Sequence, residues 1–180
     1  MVKNTPSVFW FLMWLLTAAG LAQEDLTLTA PDGTPVTIFR DNYGVPHIVA
    51  QTEIGVFFGQ GFAAAQDRLF QMEVNRRAAE GRLAEWFGPS LVDSDKDARG
   101  MFYTEQERMQ QFAGLPPELQ SVYTAYTAGV NTYLDSMAAN PARYKPYEFT
   151  QPGITMEPWT VYKSIAVTQF YMRIFGQFGG

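Results

Sequence analysis

The sequence contains no cysteine and only one histidine in 180 residues. Without cysteine the chain can form no disulfide, no thiolate metal site and no lipid-modified cysteine anchor. A zinc site or a serine–histidine–aspartate triad within this chain would have to use His47, and no metal-binding or nucleophile motif surrounds it. We therefore expect His47 to be structural, with a ring nitrogen bonded to the backbone near a turn.

Charged residues are scarce, at 17% of the sequence. The 13 basic and 18 acidic side chains give a net charge of −5, and no basic run follows Lys3. Nucleic acid is not expected as a partner, because phosphate binding needs clustered lysine and arginine. Apolar residues make up 47% of the chain, which suffices for the core of one domain or subunit.

No apolar run reaches the roughly 20 residues that a membrane-spanning helix needs. The N-terminal run from Val8 to Leu16 has nine residues, follows the charge of Lys3 and leads to a small-residue segment that ends at Ala22. This order is typical of a secretory signal. We predict a signal peptide at residues 1–22, removed after Ala22, and a periplasmic or secreted protein; an uncleaved anchor is the alternative.

Three short strands and a long helix are predicted next. Alternating or β-branched residues at 26–29, 36–40 and 46–50 are separated by two turn-forming segments. A helix then begins with Thr52 as its N-cap and ends at Gly81 in the left-handed conformation. Its apolar face repeats every three or four residues, at Phe58, Phe62, Ala65, Leu69 and Met72. We expect the strands to lie against this helix.

Glycines recur within the helix at near-helical spacing, at Gly55, Gly59 and Gly61. Each costs about 1 kcal/mol relative to alanine in a helix interior. We therefore expect another backbone to approach this smooth face closely.

The carboxylates at residues 92–99 alternate but lack the spacing of an EF-hand loop. We expect a solvated loop here, with Asp95 or Asp97 paired to Arg99, and no metal site. A helix is then predicted from Pro117 to about Asn140. Its tyrosines stand at helical spacing, which favours a core stripe over a ligand-stacking group: Tyr123, Tyr126 and Tyr133.

A last helix is predicted to start at Glu157-Pro158-Trp159, after an irregular packed segment that contains no domain boundary. Its end before Gly176 is apolar nearly all round. Such an end must be buried in a larger body or line a pocket for an apolar ligand. The predicted fold class is α+β, mostly helical, with a three-stranded element near the N-terminus.

Several short motifs follow one another between Gly44 and Glu85. GVPHI at Gly44–Ile48 precedes GQGFAAAQDRLFQME at Gly59–Glu73, the pair Arg76-Arg77, and G-x-x-x-E at Gly81–Glu85. In this order the series resembles the N-terminal part of the penicillin acylases. The resemblance implies an N-terminal nucleophile hydrolase of αββα architecture whose precursor cuts itself into an α chain and a β chain. Residues 23–180 would be a truncated α-chain portion, without the β chain.

The resemblance also implies where the chemistry lies. The nucleophile would be the N-terminal serine of the β chain, whose own α-amine is the base, so no catalytic residue is expected here and this chain alone should be inactive. Calcium is implied between the chains, with no ligand in this segment. Arg173 matches a pocket arginine of the family, whereas the adjacent aromatic position holds Ile174, which leaves the acyl preference open. The substrate-binding residues predicted on this basis are Phe170, Tyr171, Arg173, Ile174 and Phe175.

Asp67 and Arg68 interrupt an otherwise apolar and amide-rich stretch of the long helix. Adjacent helical residues point about 100° apart, so the two side chains must have different partners. The residues alone favour a solvated flank. The resemblance instead leads us to predict that both are buried and separately paired.

Three functions are open at this point. The first is an exported acylase that hydrolyses the amide of a penicillin G-like β-lactam, with the β chain and a small N-acyl substrate as partners. The second keeps this chemistry and changes the substrate to an acyl-homoserine lactone or a cephalosporin. The third is a secreted, non-catalytic binding protein on the same scaffold. For all three we expect no membrane association after signal removal.

Overall fold

The computed structural model describes residues 25–151, 154 and 156–179, so the predicted signal peptide lies outside the described residues. The described chain forms three strands and then seven α-helices: β1 (Leu26–Thr29), β2 (Pro35–Arg40), β3 (Pro46–Ala50), α1 (Glu53–Glu80), α2 (Ala84–Phe87), α3 (Val92–Met101), α4 (Glu105–Ala113), α5 (Pro117–Ala139), α6 (Pro141–Tyr144) and α7 (Val161–Gly179). None of the helices in this part is long and apolar enough to cross a membrane. The mostly helical α+β fold is as predicted.

The strands form an antiparallel sheet in the order β1-β2-β3. Ile38 of β2 lies opposite Leu26 on one side and Ile48 on the other. Val36 and Ile38 point into the core, where they join the apolar face of α1. The predicted strands and turns are confirmed, with β2 beginning one residue earlier than expected, at Pro35.

The ends of α1 are those predicted from the sequence. The Thr52 side chain accepts a hydrogen bond from the Gly55 N–H at 3.0 Å, and Gly81 closes the helix in the left-handed conformation with a φ of 62°. The predicted apolar face is buried except for Met72, which is half-buried. One feature is not predicted: the backbone of Arg68 departs from helical geometry (φ −137°, ψ 16°) and kinks α1.

Glycines let α5 approach α1 until the two backbones touch. A Cβ atom on Gly61 would collide with the backbone carbonyl of Tyr126 in α5, and one on Gly129 of α5 would collide with that of Phe58. The predicted backbone approach is therefore confirmed at Gly61. The remaining glycines of the α1 series face side chains from the strand region: Gly55 and Gly59.

The segment predicted to be a charged loop is helix α3, so that prediction is wrong. Asp95 is buried, and its carboxylate accepts the N–H groups of Leu83 and Ala84 at 2.9 and 2.8 Å. The Arg99 Nε donates to the Gly81 carbonyl at 2.9 Å, so the predicted ion pair to Arg99 is also wrong. Both side chains satisfy backbone groups left without partners at helix ends, which sequence spacing does not reveal.

One helix and one helix boundary also differ from expectation. Helix α4 is not predicted, although Thr104 and Glu107 form a complete capping box at its start, and T-x-x-E is a local sequence signal for such a start. Helix α7 begins at Val161 and not at Pro158. The backbone of Trp159 is instead held by the Asn131 side chain of α5, which keeps this residue out of the helix.

Candidate functional site

An open cleft of about 800 Å³ lies between α1, α5 and α7. This volume falls in the range of about 300–1,000 Å³ that is usual for small-molecule sites. Most of its wall is aromatic or aliphatic: Phe57, Phe70, Met72, Val74, Val122, Tyr123, Tyr126, Trp159, Val167 and Tyr171. The cleft suits an apolar group.

The tyrosines of α5 divide between the core and this cleft. Tyr133 is buried, and its hydroxyl donates to the Tyr144 carbonyl at 2.6 Å, so the predicted core role is confirmed there. Tyr123 and Tyr126 are half-buried and line the cleft, where they are available to a ligand. Burial raises the pKa of the Tyr126 phenol, which therefore stays neutral.

The polar lining of the cleft is sparse. Arg68, at the kink of α1, is exposed and donates to Gln71 at a long 3.4 Å. Asn75 of α1 donates to the Tyr171 hydroxyl at 2.6 Å, which joins α1 to α7 across the cleft. Arg68, at the kink, is thus the one cation among the described residues that line the cleft.

Asp67 and Arg68 have separate partners, as predicted, but neither is buried, so that part of the prediction is wrong. Both Asp67 oxygens accept from the Arg40 guanidinium, at 2.6 and 3.1 Å. Arg40 also donates to Gln66 and to the Gly44 carbonyl, each at 2.7 Å. Asp67 lies in the middle of α1, on the side that Arg40 reaches from β2. Its carboxylate remains about a third exposed to solvent.

Four of the five predicted substrate-binding residues lie outside the lining of the cleft. Tyr171 lines it, whereas the other four, in the second half of α7, do not: Phe170, Arg173, Ile174 and Phe175. We call these five residues the α7 tip. The ring of Phe170 lies 5.8 Å from that of Phe102, and the Arg173 guanidinium lies 5.8 Å from the same ring. Their substrate-binding role stays a prediction.

Much of the α7 tip is exposed. The rings of Tyr171 and Phe175 stack at 6.2 Å, and Phe175 keeps 69% of its surface in contact with solvent. The two alternatives expected from composition are burial in a larger body or the lining of an apolar pocket; the described chain does not bury this helix end, and Tyr171 lines the cleft. An apolar surface of this kind is available to a ligand or to further polypeptide.

His47 has a side-chain partner and not the predicted backbone partner. Its Nε2 lies 3.3 Å from the Asp41 carboxylate, and its ring stacks on Phe39 at 4.9 Å. The Val45 N–H, and then His47, hold the pKa of Asp41 below its usual value. The His47–Asp41 contact stabilises the β2–β3 turn. Neither described partner of His47, Asp41 and Phe39, is a serine or threonine nucleophile.

A network of charges, buried at Arg76 and Glu73 and partly exposed at Arg82 and Glu157, joins the end of α1 to the segment before α7. Arg76 is fully buried and pairs with Glu73 at 2.5 Å and Glu80 at 2.7 Å. Arg82 bonds Glu157, 75 positions away, at 2.7 Å. The Arg82 hydrogen bond holds the pKa of Glu157 at about 2. The sequence motifs contain the arginines, but no local pattern pairs them with Glu157.

The described residues contain no group of three or more histidine or carboxylate side chains that could hold a metal ion. We therefore derive no calcium site from this chain, and calcium stays a prediction.

The sequence of this chain is similar to those of known acylases. The family model described as penicillin amidase matches residues 35–178. Penicillin G acylase of Escherichia coli is 39% identical over 159 residues, which is 88% of this chain and 18% of that protein. Penicillin acylase 2 proenzyme of Pseudomonas sp. (strain SE83) is 41% identical over 133 residues, 74% of this chain and 16% of that protein.

A second kind of acylase is also similar. Acyl-homoserine lactone acylase QuiP of Pseudomonas aeruginosa is 34% identical over 127 residues, 69% of this chain and 14% of that protein. Among solved structures, thermostable penicillin G acylase from Alcaligenes faecalis matches with a TM-score of 0.72 at 32% identity, over 81% of this chain and 74% of that chain. The chain thus spans less than a fifth of the length of these curated relatives.

Proposed function

The chain belongs to the penicillin amidase family, and we propose that it is the α-chain portion of an exported acylase. The complete enzyme would hydrolyse an amide to a carboxylic acid and an amine. The family match from residue 35 to 178 and the fold shared with a penicillin G acylase support this proposal. The name proenzyme that one relative carries supports a processed precursor, and the leader-like residues 1–22 support export.

The proposed enzyme divides its chemistry between chains. In the described part of this chain, the single histidine is bound to Asp41 and stacked on Phe39. The nucleophile would be the N-terminal serine of a β chain, with its own α-amine as base. The serine oxygen would attack the amide carbonyl carbon, the amine would leave with the serine proton, and water would release the acid. This chain alone should therefore be inactive.

We assign the α7 tip to the wall of the acyl pocket. The observation that carries this proposal is the stacked pair of exposed rings, Tyr171 and Phe175, on the same helix end as Arg173. Covering a phenyl-sized group contributes roughly 1.5 to 3 kcal/mol. Arg173 would then orient or close over the acyl group.

A penicillin G-like amide is the first substrate to test, since the proteins named penicillin acylase are the more similar relatives, at 39% and 41% identity. The similarity to an acyl-homoserine lactone acylase supports a second candidate, a long aliphatic acyl amide. The two substrates differ in the shape of the acyl group. The α7 tip would be the part of this chain that distinguishes them.

The experiment compares both substrates in the full-length protein that contains this segment. We expect Phe175→Ala to change kcat/KM unequally for a phenylacetyl amide and a long-chain acyl-homoserine lactone. Tyr43→Ala is the matched control, because Tyr43 is an aromatic residue with 92% of its surface exposed in the β2–β3 turn. Equal losses for both substrates with a lower Tm would make the tip a scaffold. Correct folding without hydrolysis of either amide would favour a non-catalytic binding protein.

A further inference from the structure

The segment before α7 is held to α1 by charge. Both oxygens of Glu157 accept from Arg82, at 2.7 and 3.2 Å. The buried Arg76 lies 3.5 Å from the same carboxylate, and Lys163, in the first turn of α7, lies 3.4 Å from it. One carboxylate therefore connects α7 to the last turns of α1 and to Arg82, which follows the Gly81 cap.

The same segment is held to α5 by an amide. The Asn131 side chain accepts the Trp159 N–H and donates to the Trp159 carbonyl, each at 2.9 Å. The indole N–H of Trp159 donates to the Ser164 hydroxyl of α7, also at 2.9 Å. Trp159 is buried, so these bonds form away from water, where an unmet partner is costly.

The far half of α7 has weaker support. Asn75 donates to Tyr171, and Gln169 donates to Gln111 of α4, both at 2.6 Å and both at the surface. Phe170 and Arg173 pack beside the Phe102 ring, and the Arg173 guanidinium donates to the Met101 sulfur at 2.8 Å, also at the surface. The bonds at the start of α7 thus involve charged or buried groups, whereas the hydrogen bonds at the tip lie at the surface.

A change in the direction of α7 at its start would displace the residues at its tip. From Val161 to Tyr171 the helix rises by about 15 Å, at 1.5 Å per residue. A tilt of about 5° at the start would move Tyr171 by about 1 Å, and a displacement of that size can change a rate by about 100-fold.

We propose that Glu157 with Arg82 and Trp159 with Asn131 form a clamp, the α7 clamp, which positions the α7 tip and makes Glu157 a positioning residue for acyl-group selection. The catalytic consequence rests on the proposed function. The charge of the clamp is constant near neutral pH, because the pKa of Glu157 is held at about 2 by Arg82, Arg76 and Lys163. The clamp is therefore a fixed support and not a pH switch.

The test uses Glu157→Gln in the full-length protein, which keeps the shape and removes the charge. Asp93→Asn is the matched control, because the Asp93 carboxylate is 91% exposed and pairs only with Lys96 among the described residues. We expect Glu157→Gln to shift the ratio of kcat/KM between phenylacetyl and long aliphatic amides by about fivefold or more. Asn131→Ala, which breaks the other half of the clamp, should shift the ratio in the same direction, and Glu157→Asp should restore part of it.

Amide hydrogen exchange supplies a readout that is independent of activity. Exchange at residues 169–175 should become faster in Glu157→Gln, while α5 and the Asp93→Asn control stay unchanged. Unchanged exchange at the tip, or an unchanged substrate ratio in both clamp variants, overturns the inference. A wild-type protein that hydrolyses neither amide refutes the proposed function, and the exchange result then decides whether the clamp positions the tip. If Glu157→Gln does not fold, the milder Glu157→Asp and the independent Asn131→Ala decide it.

Discussion

The two helices that flank α1 meet it in opposite ways. Helix α5 lies so close that the Cα positions of Gly61 and Gly129 leave no room for a methyl group. Helix α7 crosses the same helix at a distance that leaves the 800 Å³ cleft, and side chains such as Asn75 and Tyr171 bridge it. One contact consists of backbone and the other of side chains.

This difference predicts that residues at the α1–α5 contact tolerate little substitution, whereas residues at the α1–α7 cleft can be replaced more freely. The α1–α5 contact depends on missing side chains, so nearly every substitution there adds atoms to occupied space. The α1–α7 contact is made by side chains, including the Asn75–Tyr171 bond, and the cleft wall beside it can change in size and chemistry. A scaffold of this kind can adapt the tip of α7 to different acyl groups without disturbing the core.

The largest expected effect is that of Gly129→Ala. The new methyl group would collide with the Phe58 carbonyl and lie 2.8 Å from the Phe62 nitrogen, so α1 and α5 must separate. Overpacking of this kind costs typically 1–3 kcal/mol and occasionally more, and rigid backbone neighbours lead us to expect about 3 kcal/mol. Urea unfolding of the full-length protein measures the loss.

Gly100→Ala in α3 is the control for this substitution. A Cβ at Gly100 has no neighbour within 4 Å. Alanine should therefore leave the protein unchanged or stabilise it by up to about 1 kcal/mol, because glycine is a poor helix former. If both variants unfolded at the same urea concentration, the backbone-contact explanation would be wrong.

Acid should weaken the attachment of α7 to α1, because this attachment includes the ionised carboxylate of Glu157. The pKa of Glu157 is lowered from 4.5 to about 2, so its ionised form stabilises the folded state above pH 4.5 and this contribution disappears as the pH falls toward 2. The carboxylate is about a third exposed, which limits the contribution to about 1 kcal/mol. Wild type and Glu157→Gln should thus differ at pH 6 and converge near pH 2. A constant difference across this range would exclude the linkage.

Local signals predict the backbone-packed part of the fold well. Thr52 and Gly81 terminate α1 through interactions within a few residues, and the period of α5 needs no knowledge of its partner. The small residue at Gly61 indicates close approach for the same reason, because the absence of a side chain is itself visible in the sequence.

The rest depends on contacts between distant residues. Asp95 stabilises a helix by binding N–H groups of another segment, and Glu157 meets an arginine 75 positions away. Trp159, just before α7, is bonded to Asn131, which lies in α5, 28 positions away. Composition and the family resemblance lead to the prediction that Tyr171 binds substrate, but neither reveals the cleft that it lines, which is formed by residues of α1, α5 and α7.

A smaller effect is expected from Tyr171→Phe. This change removes the hydroxyl that accepts from Asn75 and leaves the ring in the cleft wall. An exposed hydrogen bond of this kind contributes about 0.5–1 kcal/mol. A double-mutant cycle with Asn75→Ala measures the coupling between the two side chains. A coupling energy near zero would show that this bond does not hold the tip.

The smallest effect is expected from Val167→Phe, although it adds more atoms than Gly129→Ala. Val167 is half-buried on α7 and lines the cleft, so the larger ring can extend into open space between α1 and α5. Valine and phenylalanine have similar helix propensities, and we expect unfolding free energies to agree within about 0.5 kcal/mol. A methyl group on α5 should therefore cost several times more than a ring on α7, as measured by urea unfolding of both variants. A loss of several kcal/mol in Val167→Phe would mean that further polypeptide fills the cleft in the complete protein, and α7 would then be packed as tightly as α5.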